Sequence, residues 1–149
     1  MRTAPQFSVF LVNQPGVLAK VVIALAKAKI NITALTLVDS SEHGVLRIVC
    51  HPGQESKVRE VLHRTQDGFT ETDVLCLEMS NEPGSFAAAA QRLADAHINI
   101  TYAYCTGGAP GGRTTAVFKV ADLNKAIKVL KPAAGRAEKF GTVKTSFRR

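Results

Sequence analysis

Two short stretches, Asn13-Gln14-Pro15-Gly16 and Asn81-Glu82-Pro83-Gly84, combine residue types that can hold a small charged molecule. Each precedes a segment that reads as a helix, and a helix start leaves backbone N–H groups without internal partners. The helix dipole adds partial positive charge at that end, making it a natural seat for a carboxylate or phosphate. Gly16 and Gly84 lack a Cβ, which lets a ligand approach the backbone. Asn13 and Asn81 each offer a carbonyl acceptor and an amide donor, a set able to hold the ammonium and carboxylate of one amino acid. The same residues also have a purely structural reading, with Asn as the helix cap, Pro at the first helical position and Gly for the turn. A second pair, Asn31 and Asn99, is open to two readings as well. It either ends a helix as a turn residue tolerant of left-handed backbone, or turns its amide toward a ligand in a neighbouring unit.

The other reactive residue types do not assemble into a catalytic pattern. The stretch Gly107-Gly108-Ala109-Pro110-Gly111-Gly112-Arg113 lacks the Gly-Lys-Ser/Thr ending of a phosphate loop and lies between strands, so it reads as a mobile hairpin loop. Arg113 could close over an anion, but nothing requires it. Cys50, Cys76 and Cys105 are too widely spaced for a metal clip and fall on strand-like segments, as buried thiols would. His43, His51, His63 and His97 show neither metalloprotease nor triad context. No catalytic residue, metal or cofactor is expected. Tyr102 and Tyr104 alternate with Ala103 on one face of a strand, which raises RNA binding as an alternative. Against it, the partner strand offers only Phe118, so nucleic acid is not the expected partner.

An internal repeat organises these residues. Residues 13–33 (NQPGVLAKVVIALAKAKINIT) and 81–101 (NEPGSFAAAAQRLADAHINIT) align without a gap at an offset of 68, with 11 of 21 positions identical. In the first unit, residues 7–12 (FSVFLV) read as a strand. Leu18, Val21, Val22, Leu25 and Ala26 then form one helical stripe, matched by Phe86, Ala89, Ala90, Leu93 and Ala94 in the second unit. Residues 31–38 and 45–51 read as hairpin strands around a polar turn at 39–44. Val58, Val61 and Leu62 mark a second helix, Asp67-Gly68 breaks it, and residues 69–79 supply a further strand. In the second unit the hairpin falls at 99–105 and 114–120, followed by a helix carrying Leu123, Ala126, Ile127 and Leu130. Residues 141–147 (GTVKTSF) read either as a displaced fourth strand, which is the expectation, or as a disordered tail. The order β-α-β-β-α-β, twice over, predicts two ferredoxin-like units with helices on one face of a four-stranded antiparallel sheet.

Composition narrows the class. With 149 residues, 46% of them hydrophobic and 21% charged, the chain is globular. The longest apolar run, residues 21–26, is far short of the roughly 18 residues of a membrane span, and the amino terminus has no signal stretch. An odd number of cysteines fits reduced thiols, so a cytoplasmic protein is expected. From Lys119 onward there are nine basic and two acidic residues, which account for the whole net charge of +7. The excess is therefore local, a solvated helix face and a basic tail, rather than the broad patch of a nucleic-acid binder.

The pattern N-x-P-G-x-(L/F)-A, an amphipathic helix, then I-N-I and a strand, resembles the ACT domain. The resemblance covers residues 7–131, with INITYAY (98–104) and AVFKVADLNKAIKVL (116–130) similar to free-standing tandem ACT proteins that carry no enzyme. It implies two domains, residues 1–72 and residues 73–149, the second with a basic tail over about 132–149. It also implies an amino acid bound where ACT domains meet side by side, its polar ends facing the strand-helix turn of one domain and the second strand of its neighbour. By position, Asn13, Gln14, Gly16, Val17, Leu18 and Asn31 are the ligand-binding candidates of the first unit. Asn81, Glu82, Gly84, Ser85, Phe86 and Asn99 are those of the second. Ligand-binding members often have Asp where Asn13 and Asn81 stand, which weakens the ammonium contact or moves it elsewhere. Val17-Leu18 against Ser85-Phe86 also makes the two bends unequal. The resemblance implies a non-enzymatic regulatory protein, a homodimer, acting in trans on an amino-acid-pathway enzyme or through its own assembly. A structural oligomerisation module without ligand is the other alternative.

Overall fold

The computed structural model describes residues 1–39, 42–65 and 68–131. Two compact units emerge: Ala4–Asp73, and Met1–Thr3 together with the described residues from Val74. The elements of the first are β1 (Arg2–Val12), α1 (Val17–Lys27), β2 (Ile32–Asp39), β3 (His43–Cys50), α2 (Glu55–Thr65) and the opening of β4 (Phe69–Ser80). The second continues β4 and adds α3 (Ser85–Asp95), β5 (Ile100–Cys105), β6 (Arg113–Val120) and α4 (Leu123–Leu130). The expected order is present through α4, as an antiparallel α+β fold of the ferredoxin-like kind, with six strands in one sheet where two four-stranded sheets were expected. The expected strand at 141–147, the basic tail and part of the 39–44 turn lie outside the described residues.

In the first unit the hydrogen-bonded strand order is β2-β3-β1-β4. Phe7 pairs with Ile48 and Val9 with Leu46 across β1 and β3, and all four are fully buried under the helices. Phe10 N–H donates to Gly68 O at 3.2 Å, just before β4 begins. In the second unit the order is β5-β6-β4, and the strand beside β4 is β1, whose first residues cluster with this unit. Leu75 pairs with Phe118 and Leu77 with Ala116, again facing the helices.

The buried helix faces are rotated from the expected stripes. Val21 and Leu25 are buried, flanked by Val17, Leu18, Ala24 and Ala28, while Ala26 is exposed. In α3 the buried residues are Ser85, Ala89 and Leu93, with Ala94 exposed. Val17 packs against the first core and Ser85 is buried, so the docked face begins at the first helical residue and the later alanines point outward.

Polar ties hold helices to strands. Arg59 of α2 forms a fork on Glu71 of β4, with Nε 2.8 Å from Oε2 and Nη2 2.5 Å from Oε1, and its guanidinium lies 5.8 Å from the Phe7 ring. Gln54 bridges the α1 exit, accepting from Asn31 N–H at 2.8 Å and donating to Lys29 O at 3.2 Å. Lys125 Nζ reaches Ala96 O at 2.7 Å, and Arg92 Nη2 reaches Val129 O at 2.5 Å, so each helix of the second unit caps the other's end.

Both the helix exit and the ion pair can be probed by substitution. Lys29 has φ 56°, a left-handed conformation costly for a side-chain-bearing residue. Lys29→Gly should therefore raise stability by up to about 1 kcal/mol in urea unfolding. The Arg59 guanidinium holds the Glu71 carboxyl below its ordinary range. A depressed folded pKa contributes stability above the unfolded value, about 4.3, and loses it as pH falls through the folded one. Melting temperatures across that acid window should accordingly fall more steeply for the wild type than for Glu71→Gln.

Candidate functional site

The first bend runs from the end of β1 into α1. Asn13 N–H donates to Glu42 O at 3.1 Å and Gln14 N–H to Val12 O at 2.9 Å, which seats the turn against the start of β3. Gly16 is the residue before the helix, at φ 86°, and α1 has no side-chain cap. The structural reading of the motif is thus corrected: Asn13 is not the cap and Pro15 is not the first helical residue. A left-handed glycine makes the entry instead. Val17 N–H turns back to Gln14 O at 3.4 Å and Lys20 N–H bonds Gly16 O at 2.9 Å. The Leu18 and Ala19 N–H groups meet no backbone carbonyl among the described residues. They are the unpaired donors that a helix start leaves.

Leu18 also lines a recess of about 70 Å³. One water needs about 10–15 Å³ of such space, so the recess admits something larger than a single water. Leu11, Val17, Leu18 and Leu37 give it apolar walls, Asn13 and Gln14 a polar lip, and Val12 and Gly44 complete it. None of the lining residues is ionisable. Gly44 matters by what it lacks: a Cβ there would stand 3.1 Å from Leu37 Cδ1.

Asn31 is not part of this site. It sits beside His51, whose N–H donates to Asn31 O at 2.9 Å, beyond the far end of β3 from Asn13. β3 has eight residues, about 25 Å of strand. Nor is it the left-handed residue of the helix exit; that conformation falls on Lys29, and on His97 in the second unit, both at φ 56°. Asn99 occupies the matching far-end position and accepts from Ala121 N–H at 3.3 Å.

The second bend repeats the backbone and changes the surroundings. Gly84 enters α3 at φ 92°, again without a side-chain cap. Asn81, however, donates from Nδ2 to Gly108 O at 2.9 Å and to Ala109 O at 3.1 Å. Ser85 is buried and its hydroxyl lies 3.0 Å from that of Ser80. Phe86 stacks on buried Phe118 with ring centroids 5.2 Å apart, while Glu82 is exposed.

The remaining candidates stay apart. Cys50 and Cys76 are buried and form no disulfide, and burial pushes the Cys76 thiol up, away from the reactive thiolate. Cys105 corrects the expectation for it: it is exposed, on the edge strand β5. Among the described residues no group of three His, Cys, Asp or Glu side chains could hold a metal. Tyr102 and Tyr104 pair across from Lys119 and Val117, whereas Phe118 belongs to the core under the helices.

A family model described as an ACT domain pair matches residues 2–134. The chain belongs to the ACT domain pair family. No curated protein matches it. Among solved structures, a protein from Bacteroides thetaiotaomicron is similar, with 29% identity, TM-score 0.77 and 86% of each chain covered. The ligand-free regulatory subunit of aspartate kinase from Thermus thermophilus is similar at 14% identity and TM-score 0.62, covering 87% of this chain and 95% of that one. Its counterpart from Thermus flavus shows 16% identity and TM-score 0.60, with 85% and 89% covered. The two Thermus likenesses are of fold.

Within this ACT pair, the structure brings Asn13, Gln14, Val17 and Leu18 to one recess and places Gly16 behind them as the helix entry. Sequence reasoning missed Leu11, Leu37 and Gly44, which reach the recess from the strands. Thr114 takes the place of Gly44 in the second repeat, a match that only the strand register reveals. The Phe86 stack yields a prediction. Phe86→Ala should cost about 1–2 kcal/mol, below the value for a fully buried Phe because the ring is 37% exposed. Denaturant midpoints check it.

Proposed function

We propose that this ACT pair is a regulatory protein that binds a small amino acid at the first bend, with residues 1–72 and 73–149 serving as its two ACT domains. The observation that carries this reading is the recess of about 70 Å³ lined by Asn13, Gln14 and Leu18 at the start of α1, where the Leu18 and Ala19 N–H groups meet no backbone carbonyl among the described residues. The ligand's carboxylate takes those N–H groups at the positive end of α1, an 11-residue helix. Asn13 Oδ1 accepts from the ammonium, and Gln14 offers a second polar contact. Leu11, Val17, Leu18 and Leu37 receive the side chain, and the small volume favours a short apolar one. Asn31, remote within its own chain, serves a ligand held by a second copy. The protein works as a homodimer.

It acts by binding rather than by catalysis, in trans on an amino-acid-pathway enzyme or through its own assembly. The likeness to aspartate kinase regulatory subunits supports action in trans. Among the described residues no helix is long and apolar enough to cross a membrane, which is compatible with the cytoplasmic setting this role requires.

A thermal-shift screen of the twenty standard amino acids tests the reading. A ligand at about 100 times its Kd adds about 2.7 kcal/mol, which raises the melting temperature by several degrees. One or a few small amino acids should give that shift, and Gly44→Thr, which fills the recess, should abolish it. No shift with any of the twenty, or an undiminished shift in Gly44→Thr, contradicts the proposal.

A further inference from the structure

The two repeats carry the same bend, yet the hairpins facing it differ in length. Ile32 pairs with Cys50 and Ile100 with Val120, so the offset of 68 along β2 and β5 becomes 70 along β3 and β6. The second hairpin loop is therefore two residues longer. By this register the bond from Asn13 N–H to Glu42 O is the counterpart of the bond from Asn81 N–H to Gly112 O, at 3.1 and 2.8 Å. The backbone frame is common to both, and the extra residues of the second loop extend from it over Asn81.

There they accept from the Asn81 amide. The carbonyl oxygens of Gly108 and Ala109 lie 2.9 and 3.1 Å from Nδ2, so the loop backbone sits directly against the Asn81 side chain. Gly111 N–H returns a bond to Asn81 O at 3.1 Å. This path demands glycine at 108, where a Cβ would stand 2.5 Å from Arg113 O. The loop is braced from below as well. Gly112 N–H donates to Ala109 O at 2.9 Å, and Thr114 Oγ1 donates to Thr106 O at 2.6 Å. Thr114 stands where the first repeat has Gly44, and Phe86 stands where it has Leu18, so bulk is added at the positions that line the recess in the first repeat.

We propose that the second repeat is a self-occupied site, in which the 106–112 loop takes the place of a ligand, so that each chain binds one ligand molecule rather than two. This rests on the first bend being the ligand site. The glycine-rich loop acquires a role that its lack of a phosphate-loop ending left open: it is the internal occupant of Asn81. The second repeat is then a fixed partner for the responsive first one.

Amide hydrogen exchange followed by NMR on the full, ligand-free chain tests the occupancy directly. The Gly111 amide should be protected in the wild type. Asn81→Asp, which sets a carboxylate against two carbonyl oxygens, should speed its exchange at least tenfold while amides in α3 and α4 keep their rates. Asn81→Ala, which removes the donors without adding charge, should act in the same direction. Unchanged Gly111 exchange in both variants overturns the proposal. In calorimetric titrations with each of the twenty amino acids, any that binds should do so at one molecule per chain, and Gly44→Thr should bring this to zero. Two molecules per chain in the wild type, or one retained in Gly44→Thr, also overturns it. Absence of binding by every amino acid would remove the reading of the first bend and leave the exchange result to decide the occupancy of the second.

Discussion

A left-handed glycine at the entry to a helix is the constraint on which this molecule's chemistry depends. Gly16 and Gly84 turn a strand into a helix at φ 86° and φ 92° with no side chain committed to the cap. For any other residue that conformation costs about 1–2 kcal/mol, and a side-chain cap would have consumed the polar group beside it. Because the backbone makes the turn alone, Asn13 and Asn81 remain available for other partners. The helix start keeps unpaired N–H groups where strand, hairpin and helix converge. Val17 packs against the first core and Ser85 is buried, so the docked face begins at the first helical residue in both repeats.

Volume and loop length decide what each bend can hold. At the first, Gly44 and a short hairpin leave a recess with apolar walls and a polar lip. At the second, Thr114, Phe86 and a longer glycine-rich loop bring protein atoms to the equivalent positions. Duplication supplied two copies of one frame, and a few residues around it give them different surroundings. The Asn81 amide donates to two carbonyls of its own unit, while Asn13 lines the open recess of the first bend.

Much of the fold was legible because the repeat states it twice. Strand-helix order, both hydrophobic cores and the place of each bend can be read from residues 13–33 and 81–101. The helix stripe was legible only to within a rotation, since the face that is buried depends on how the helix docks on the sheet and not only on the spacing of apolar residues. The site was half legible. Asn13, Gln14, Val17 and Leu18 are contiguous with the motif, whereas Leu37 and Gly44 come from strands whose register no local pattern reveals. Asn31 was legible as special from its recurrence in I-N-I, but not its distance from Asn13, because the strand between them carries it to the other end of β3. Its backbone is tied there to Gln54 and His51.

The most direct measurement is a residue-by-residue map of amide chemical shifts in the full chain, recorded while adding the amino acid that most raises its melting temperature. If the first bend is where the ligand sits, the largest changes fall on the Leu18 and Ala19 amides and on the Asn13 side chain, with the amides of Ser85 and Phe86 little moved. Changes centred on Ser85 and Phe86, or spread evenly over both repeats, would contradict the account.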